Sequence, residues 1–439
     1  MGKNDYFGRK IDSVLLSWAK EKNRKPLLLR GARQVGKSSA VRNLGKAFKN
    51  YVEINFEYDT EVHVFFEKFN SPHEICRQLS LFYKTEIIAG KTLVFFDEIQ
   101  DCPKALAKLR YFYEKYPELH LIAAGSLLEF AIGEMASFAV GRVRSLYLYP
   151  FSFEEFLRAQ KNEMLVKAYR QANSKNPLSE PIHQELNKLL KTFFIIGGMP
   201  EAVAKYIETK SFLESQMAID DLIVSLKNDF KKYKKRVPSA HIENVFEAVA
   251  SQAGGKFVYE HVPGLNNSQV KQALELLIMA GLAIPVTHSS ANGIPIGAEA
   301  NFKHRKMLLL DTGIFLRMLD FNTSQIIIAD DFKTINMGSL AEMFVGLEIL
   351  KASSCYMPYK LYCWNREKKQ SNAQVDYVVQ KNSSIIPIEV KSGLKGAMPS
   401  LRLFMLEKNS KMGIRTSLEN FGKIDNIEIC PLYAVSNVF

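Results

Sequence analysis

"LLLRGARQVGKSS", Leu27 to Ser39, is the stretch on which the fold turns. A short apolar run enters a loop bounded by Gly31 and Gly36 and leaves it on a helical pattern, which is the order strand, GxxxxGK[ST], helix. Glycines at those positions let successive backbone N–H groups turn inward around a β-phosphate, and the start of the helix adds its partial positive charge. Lys37 then reaches the β- and γ-phosphates, and Ser38 offers its hydroxyl to Mg²⁺. The pattern predicts an ATP site.

A second segment tests this reading. "KTLVFFDEIQDCPKAL", Lys91 to Leu106, supplies four apolar residues, Leu93 to Phe96, and then Asp97 and Glu98. That is the pattern of a fully buried parallel strand ending in a carboxylate pair, at the edge where open α/β sheets bind ligands. Asp97 is expected to hold Mg²⁺ through water and Glu98 to polarise the attacking water, since hydrolysis needs both a clamped phosphate and an oriented nucleophile. A third apolar strand, "LHLIAAGS", ends at Gly125 and Ser126. Ser126 reads either as a group sensing the γ-phosphate or as the N-cap of the next helix. Arg142 and Arg144, in "GRVRSLYLYPFSFEEF", read either as stabilisers of the transferring phosphoryl group, in cis or from a neighbouring subunit, or as a solvated pair.

"RGARQVGKSS", "LVFFDEIQ", "GRVRSLYLYPFSFEEF" and "IIGGMPEAV" together resemble a family of prokaryotic AAA-type ATPases that carry a carboxy-terminal half of unknown function with a nuclease-like end. The resemblance implies that Gly31, Ala32, Arg33, Gln34, Val35, Gly36, Lys37, Ser38 and Ser39 form the Walker A loop, that Asp97 and Glu98 are the Walker B pair, and that Ser126 is the sensor. It also implies that Gly197, Gly198 and Pro200 come near the nucleotide, although "GGMP" equally suits a turn linking helices.

The chain has 439 residues, 47% hydrophobic and 24% charged, enough for more than one packed core. The expected parts are the ATPase core over 1–155, a helical lid over 156–238, a winged-helix-like segment over 239–325 and a nuclease-like domain over 326–439. Five scattered cysteines without metal-ligand spacing point to a reducing, cytoplasmic setting, and no apolar segment is long enough to span a membrane. A net charge of +12 favours polyanionic partners, nucleic acid among them, beside an unidentified protein partner or an oligomer. The basic run Lys231, Lys232, Lys234, Lys235 and Arg236 reads first as a solvated helix end.

Between Ser239 and Arg317 the pattern is helix, turn, helix "NSQVKQALELLIMAGL", then two strands, which resembles a winged helix-turn-helix. Asn267 or Ser268 is the expected cap. The second helix offers Gln269 and Lys271 but also Glu275, so packing or interaction is expected ahead of base reading, with His304, Arg305 and Lys306 on the wing as backbone contacts.

"INMGSLAEMFVGLEILKA" reads as an amphipathic helix bearing Glu342. In "QVDYVVQKNSSIIPIEVKSG", Gln374 to Gly393, Asp376 lies in the first strand of a hairpin, and Glu389 and Lys391, two apart, share a face of the second. This D…ExK pattern resembles PD-(D/E)xK nucleases, which implies a candidate site of Glu342, Asp376, Glu389 and Lys391. Carboxylates so placed can hold a divalent ion that activates water. The same fold also serves for binding without cleavage. The expected fold class is α/β: a P-loop parallel-sheet core with a helical lid, a winged helix-turn-helix segment and a restriction-endonuclease-like domain.

Overall fold

A computed structural model describes residues 6–134, 141–233, 237–321, 337–368, 371–393 and 397–438. Lys234, Lys235 and Arg236 of the basic run, and the expected boundary at 325–326, lie outside the described residues. The chain forms two compact units: residues 1–149 with the short pieces 279–281 and 354–358, and the remainder of 150–439.

The first unit is built on five parallel strands, β1 (Leu27–Arg30), β2 (Asn50–Asn55), β3 (Thr92–Asp97), β4 (His120–Ala124) and β5 (Arg144–Tyr147), in the order β2-β3-β4-β1-β5. β3 and β4 are buried at every residue, so both sheet faces are covered, which explains their uninterrupted apolar runs. One face packs Leu28, Val52, Val94, Phe96 and Leu121 against Leu79, Leu106 and Phe112 of the helices Pro72–Phe82 and Pro103–Lys115. The register pairs Leu29 with Ala124, Phe96 with Ala123 and Asn55 with Asp97, so the carboxyl ends of β1, β3 and β4 share one edge. The turns after these three strands carry the phosphate loop, the carboxylate pair and Ser126.

The second unit contains two sheets. One has the order β7-β6-β8-β9, made of β6 (Ala283–Ser289), β7 (Ala300–Leu309), β8 (Leu361–Asn365) and β9 (Gln374–Val375). The other runs β10-β11-β12-β14-β13, made of β10 (Tyr377–Lys381), β11 (Ser384–Val390), β12 (Gly413–Ser417), β13 (Gly422–Ile424) and β14 (Ile427–Pro431). Helices Ser239–Ser251 and Asn267–Met279 precede the antiparallel pair β6–β7. β6 also pairs in parallel with β8, so the segment expected to stand apart shares a sheet with the carboxy-terminal domain.

Several local expectations change. The cap of Asn267–Met279 is Asn266, whose Oδ1 accepts from the Gln269 N–H at 3.0 Å while Gln269 Oε1 accepts from the Asn266 N–H at 2.9 Å. This reciprocal capping box engages the side chain offered for base reading. The helix Met337–Ala352 is buried continuously from Leu340 to Leu350 rather than amphipathic, because its charged residues face internal partners instead of water. Asp376 sits in the break between β9 and β10 rather than within a strand. β10 and β11 form the expected hairpin, and Pro387 pairs with Val378 on that side only, since the ladder to β12 begins at Ile388. A missing N–H is tolerated there. "GGMP" is a turn between the helices Glu180–Ile196 and Pro200–Thr209. Its Gly198 N–H donates to Asp311 Oδ2 at 2.6 Å, and its carbonyl accepts from the Phe151 N–H at 2.7 Å.

Candidate functional site

The phosphate loop leaves β1 at Gly31, where a Cβ would lie 2.1 Å from the Leu148 carbonyl oxygen, so only glycine lets β5's continuation pass this close. Gln34 (φ 60°) and Gly36 (φ 94°) curl the chain before the helix Lys37–Gly45 begins, with Ala32 and Val35 buried beneath and Arg33 between them. Ser39 lies in the first turn of that helix. The Lys37 ammonium donates to the carbonyls of Gly31 at 2.9 Å and Ala32 at 2.8 Å. Burial lowers its pKa from 10.5 to about 8, against the raising influence of Glu98 and Asp97.

Ser38 Oγ donates to Asp97 Oδ2 at 2.8 Å, bringing together the two oxygens expected to share a cation. Burial raises the Asp97 carboxyl above its usual range, opposed by the Ser38 hydroxyl. Glu98 has a left-handed backbone (φ 47°), and its Oε2 accepts three hydrogen bonds: from the Ser126 N–H at 2.9 Å, Ser126 Oγ at 3.1 Å and Gln100 Nε2 at 2.8 Å. Burial pushes its pKa up, but these donors and the Lys37 charge outweigh that and hold it below the usual glutamate value. Glu98 is therefore an ionised carboxylate in a fixed orientation. The structure joins Ser126 to Glu98, a third arrangement beside the two expected for it.

Arg142 and Arg144 do not meet these groups within the unit. Arg144 pairs in register with Leu27, at the amino-terminal end of the sheet, while the phosphate loop leaves the opposite end of β1. It pairs with Glu21 at 2.5 Å, and Arg142 pairs with Glu114 at 3.1 Å. Of the readings open for this pair, action in cis does not fit, since the register puts Arg144 at the opposite edge and Arg142 precedes it in the chain.

Two contributors escape a reading by sequence. Arg9 donates to the Val35 carbonyl at 3.1 Å and the Tyr149 carbonyl at 2.7 Å, bolting the phosphate loop to the chain after β5. Gln100 clamps Glu98, and a side chain at Gly125 would strike its Oε1 at 1.9 Å. Arg9 has no local signal, whereas Gln100 follows Glu98 by two residues in the 3₁₀ turn Ile99–Asp101.

In the second unit the four D…ExK residues do come together. The Val390 N–H donates to Asp376 Oδ2 at 2.8 Å, Lys391 Nζ donates to Glu389 Oε1 at 2.7 Å, and Glu342 and Asp376 meet at a common neighbour, Lys306. Lys306 Nζ lies 2.8 Å from Glu342 Oε1 and 3.7 Å from Asp376 Oδ1. Burial alone would lower its pKa, but Glu342 and Asp376 hold the ammonium above its ordinary range. Burial, with Asp376 nearby, raises the Glu342 carboxyl. The expectation that Lys306 is a wing contact to a nucleic-acid backbone is corrected, since its side chain is 4% exposed. Arg305 beside it reaches Glu275 at 3.5 Å, which ties β7 to the helix Asn267–Met279.

Residues 23–157 match a family model described as an AAA domain. The parallel order β2-β3-β4-β1-β5, with the phosphate loop and carboxylate pair on one edge, is the framework such a domain requires. This part of the chain is an AAA-type ATPase domain. Residues 187–325 and 337–435 match two further models, each described as a domain of unknown function. No curated protein matches the chain. Among solved structures, the chain is similar to the Walker-type ATPase PABY2304 of Pyrococcus abyssi, at 16% identity and a TM-score of 0.47 over 72% of this chain and 97% of that one. It is also similar to Cdc6p from Pyrobaculum aerophilum, at 12% identity and a TM-score of 0.27 over 64% and 89% of the two chains. A third is PCH-2 of C. elegans, at 12% identity and a TM-score of 0.22 over 62% and 66%.

An AAA domain implies a nucleotide, typically with Mg²⁺. The residues fit both: the loop curled at Gln34 and Gly36 and the Lys37 ammonium suit phosphate, and the adjoining Ser38 hydroxyl and Asp97 carboxylate are hard oxygen donors that suit magnesium. When bound, the ion would neutralise charge on the β- and γ-phosphates. Among the described residues, no helix is long and apolar enough to cross a membrane.

Proposed function

We propose that this protein hydrolyses ATP with Mg²⁺ at its AAA domain, and that nucleotide-driven switching controls how the carboxy-terminal part engages a partner. The observation that carries the proposal is the convergence of Lys37, the Ser38–Asp97 pair and the oriented Glu98 carboxylate at one sheet edge. Gly31 to Ser39 cradle the phosphates, Ser38 and Asp97 hold the ion, Glu98 orients the attacking water, and Ser126 keeps Glu98 aimed. Arg142 or Arg144 would act only on a neighbouring subunit's nucleotide. ATP turnover tests the proposal: Glu98→Gln should cut the rate by roughly 10²- to 10⁴-fold with nucleotide binding retained. Lys37→Ala should lose binding as well, and rates equal to wild type in both variants would sink the assignment.

The partner proposed is nucleic acid, favoured by the net charge of +12, with the winged-helix-like segment as an interaction module. Anisotropy of labelled DNA and RNA with the Glu98→Gln variant should change between ATP and no nucleotide; no change with either polymer would leave a protein as the partner. The rival reading, metal-dependent cleavage at Asp376, Glu389 and Lys391, takes the same residues as a site that a divalent ion can enter. It requires cleavage with Mg²⁺ or Mn²⁺ that Asp376→Ala and Lys391→Ala each abolish.

A further inference from the structure

We propose that Lys306 is the resident cation of the acidic centre in the second unit, occupying the place a divalent ion would take between Glu342 and Asp376, so that this centre binds no metal in the native protein. Three carboxylates, Glu342, Asp376 and Glu389, converge here, and each already has a positive or hydrogen-bonding partner. Lys306 serves Glu342 and Asp376 at 2.8 and 3.7 Å, the Val390 N–H serves Asp376 at 2.8 Å, and Lys391 serves Glu389 at 2.7 Å. Among the described residues, no group of three or more His, Cys, Asp and Glu side chains is placed to hold a metal ion.

Lys306 is not a flexible surface side chain that happens to fold inward. Its backbone is gripped on two sides, by Val286 of β6 in the antiparallel ladder and by a bridge to Lys256, and the neighbouring Arg305 carbonyl accepts from the Phe257 N–H at 2.9 Å. Its side chain is 4% exposed, and Glu342 and Asp376 are 10% and 13% exposed. On the acceptor side, the Tyr377 hydroxyl holds the Glu342 backbone carbonyl at 2.7 Å and the Val390 N–H holds Asp376 Oδ2 at 2.8 Å. A buried ammonium placed this way needs the carboxylates it faces, because removing either side would leave an uncompensated charge.

Glu389 Oε2 is buried with no hydrogen-bond partner, the kind of oxygen an ion would satisfy. A divalent ion reaching it and Asp376 together would sit beside the Lys306 ammonium, and like charges in a site screened from water repel strongly. The arrangement admits the ion only if Lys306 leaves or loses its charge.

The experiment measures Mn²⁺ bound to the nucleotide-free full chain, from the loss of the free-ion paramagnetic resonance signal, with Asp97→Asn as background to silence the ATPase site. In that background the chain should bind no Mn²⁺. Adding Lys306→Met should create about one site per chain, and adding Glu389→Gln as well should remove it. The proposal is overturned if the background protein binds Mn²⁺ in a manner lost with Glu389→Gln, or if a folded Lys306→Met chain gains no site. Should Lys306→Met fail to fold, the first comparison still decides: no Glu389-dependent Mn²⁺ binding supports the proposal, and such binding overturns it.

Discussion

Lys37 makes the nucleotide affinity of this protein depend on pH, with a sign and size that follow from its surroundings. In the free protein, burial brings its pKa down from 10.5 to about 8. A bound γ-phosphate adds negative charge within reach of the ammonium and raises its pKa again, so that the complex keeps the proton. Below pH 8 the lysine is charged in both states and affinity is flat. Above pH 8 the free protein has lost the proton that the complex keeps, so binding must take one up. From pH 7 to pH 9 the association constant should fall about tenfold, or about 1.4 kcal/mol, and proton uptake should approach about 0.9 per ATP. ATP itself no longer titrates there, because its terminal phosphate ionises near pH 6–7. Calorimetry in two buffers of different ionisation heat gives the uptake directly, and the Kd at pH 7, 8 and 9 gives the affinity. The same shift has an opposite consequence for folding: a lysine with a lowered folded pKa costs stability below pH 8, and the cost fades as pH rises from 8 towards 10.5. An uptake near zero at pH 9, with a flat Kd, refutes the reasoning, since it would mean that the ammonium is not desolvated in the free protein.

Glu98 predicts a second pH effect. Its folded pKa lies below 4.5, so the carboxylate stays ionised down to that range, its contribution to stability is lost only as pH falls through the lowered value, and the turnover profile between pH 5 and 8 should show no acidic limb from this group. Ser126→Ala, which removes one of the donors that lower it, should shift any such limb upward. Asp311 accepts from the N–H groups of Gly198 at 2.6 Å, Gly313 at 2.9 Å and Ile314 at 3.2 Å, and is 1% exposed. Asp311→Ala strands all three and removes a helix cap, so chemical denaturation followed at the second unit should show a loss of about 3–5 kcal/mol, with Asp311→Asn losing less. Gly31→Ala places a Cβ against the Leu148 carbonyl and should lower nucleotide affinity at least tenfold, read by fluorescent-nucleotide titration, while leaving the second unit's melting unchanged.

What could be read from the chain and what could not divides by sequence distance. The phosphate loop spans nine residues, and its glycine spacing is itself the backbone geometry, so its position can be read directly. Asp97 and Glu98 follow from a strand buried on both faces that ends in charge, which leaves carboxylates nowhere to point but the edge. The β10–β11 hairpin is similarly local, since "KNSS" closes on Asn382 at φ 54°. Which of the readings of Arg142 and Arg144 applies could not be told from the chain, because the distance of Arg144 from the phosphate loop depends on which end of β1 it pairs with, and no periodicity encodes a parallel register between strands more than a hundred residues apart.

The helix Met337–Ala352 shows how one such gap leads to another. Its charged residues suggested a polar face, and a polar face would leave Glu342 open to a metal. In the folded unit Glu348 instead accepts from the Phe153 N–H at 3.2 Å and lies 3.4 Å from Lys351, while Glu342 meets Lys306. Both carboxylates are buried because their partners are brought in from elsewhere in the chain, 195 residues away for Phe153 and 36 for Lys306. A buried acid costs too much to persist without such a partner. An acidic residue in a continuously apolar helix therefore signals a cation or donor still to be found, and a lysine on a neighbouring strand satisfies that demand as well as a metal ion does. The D…ExK pattern pairs Glu389 with its own Lys391; what neutralises Glu342 and Asp376 is decided by β7, which lies outside the motif.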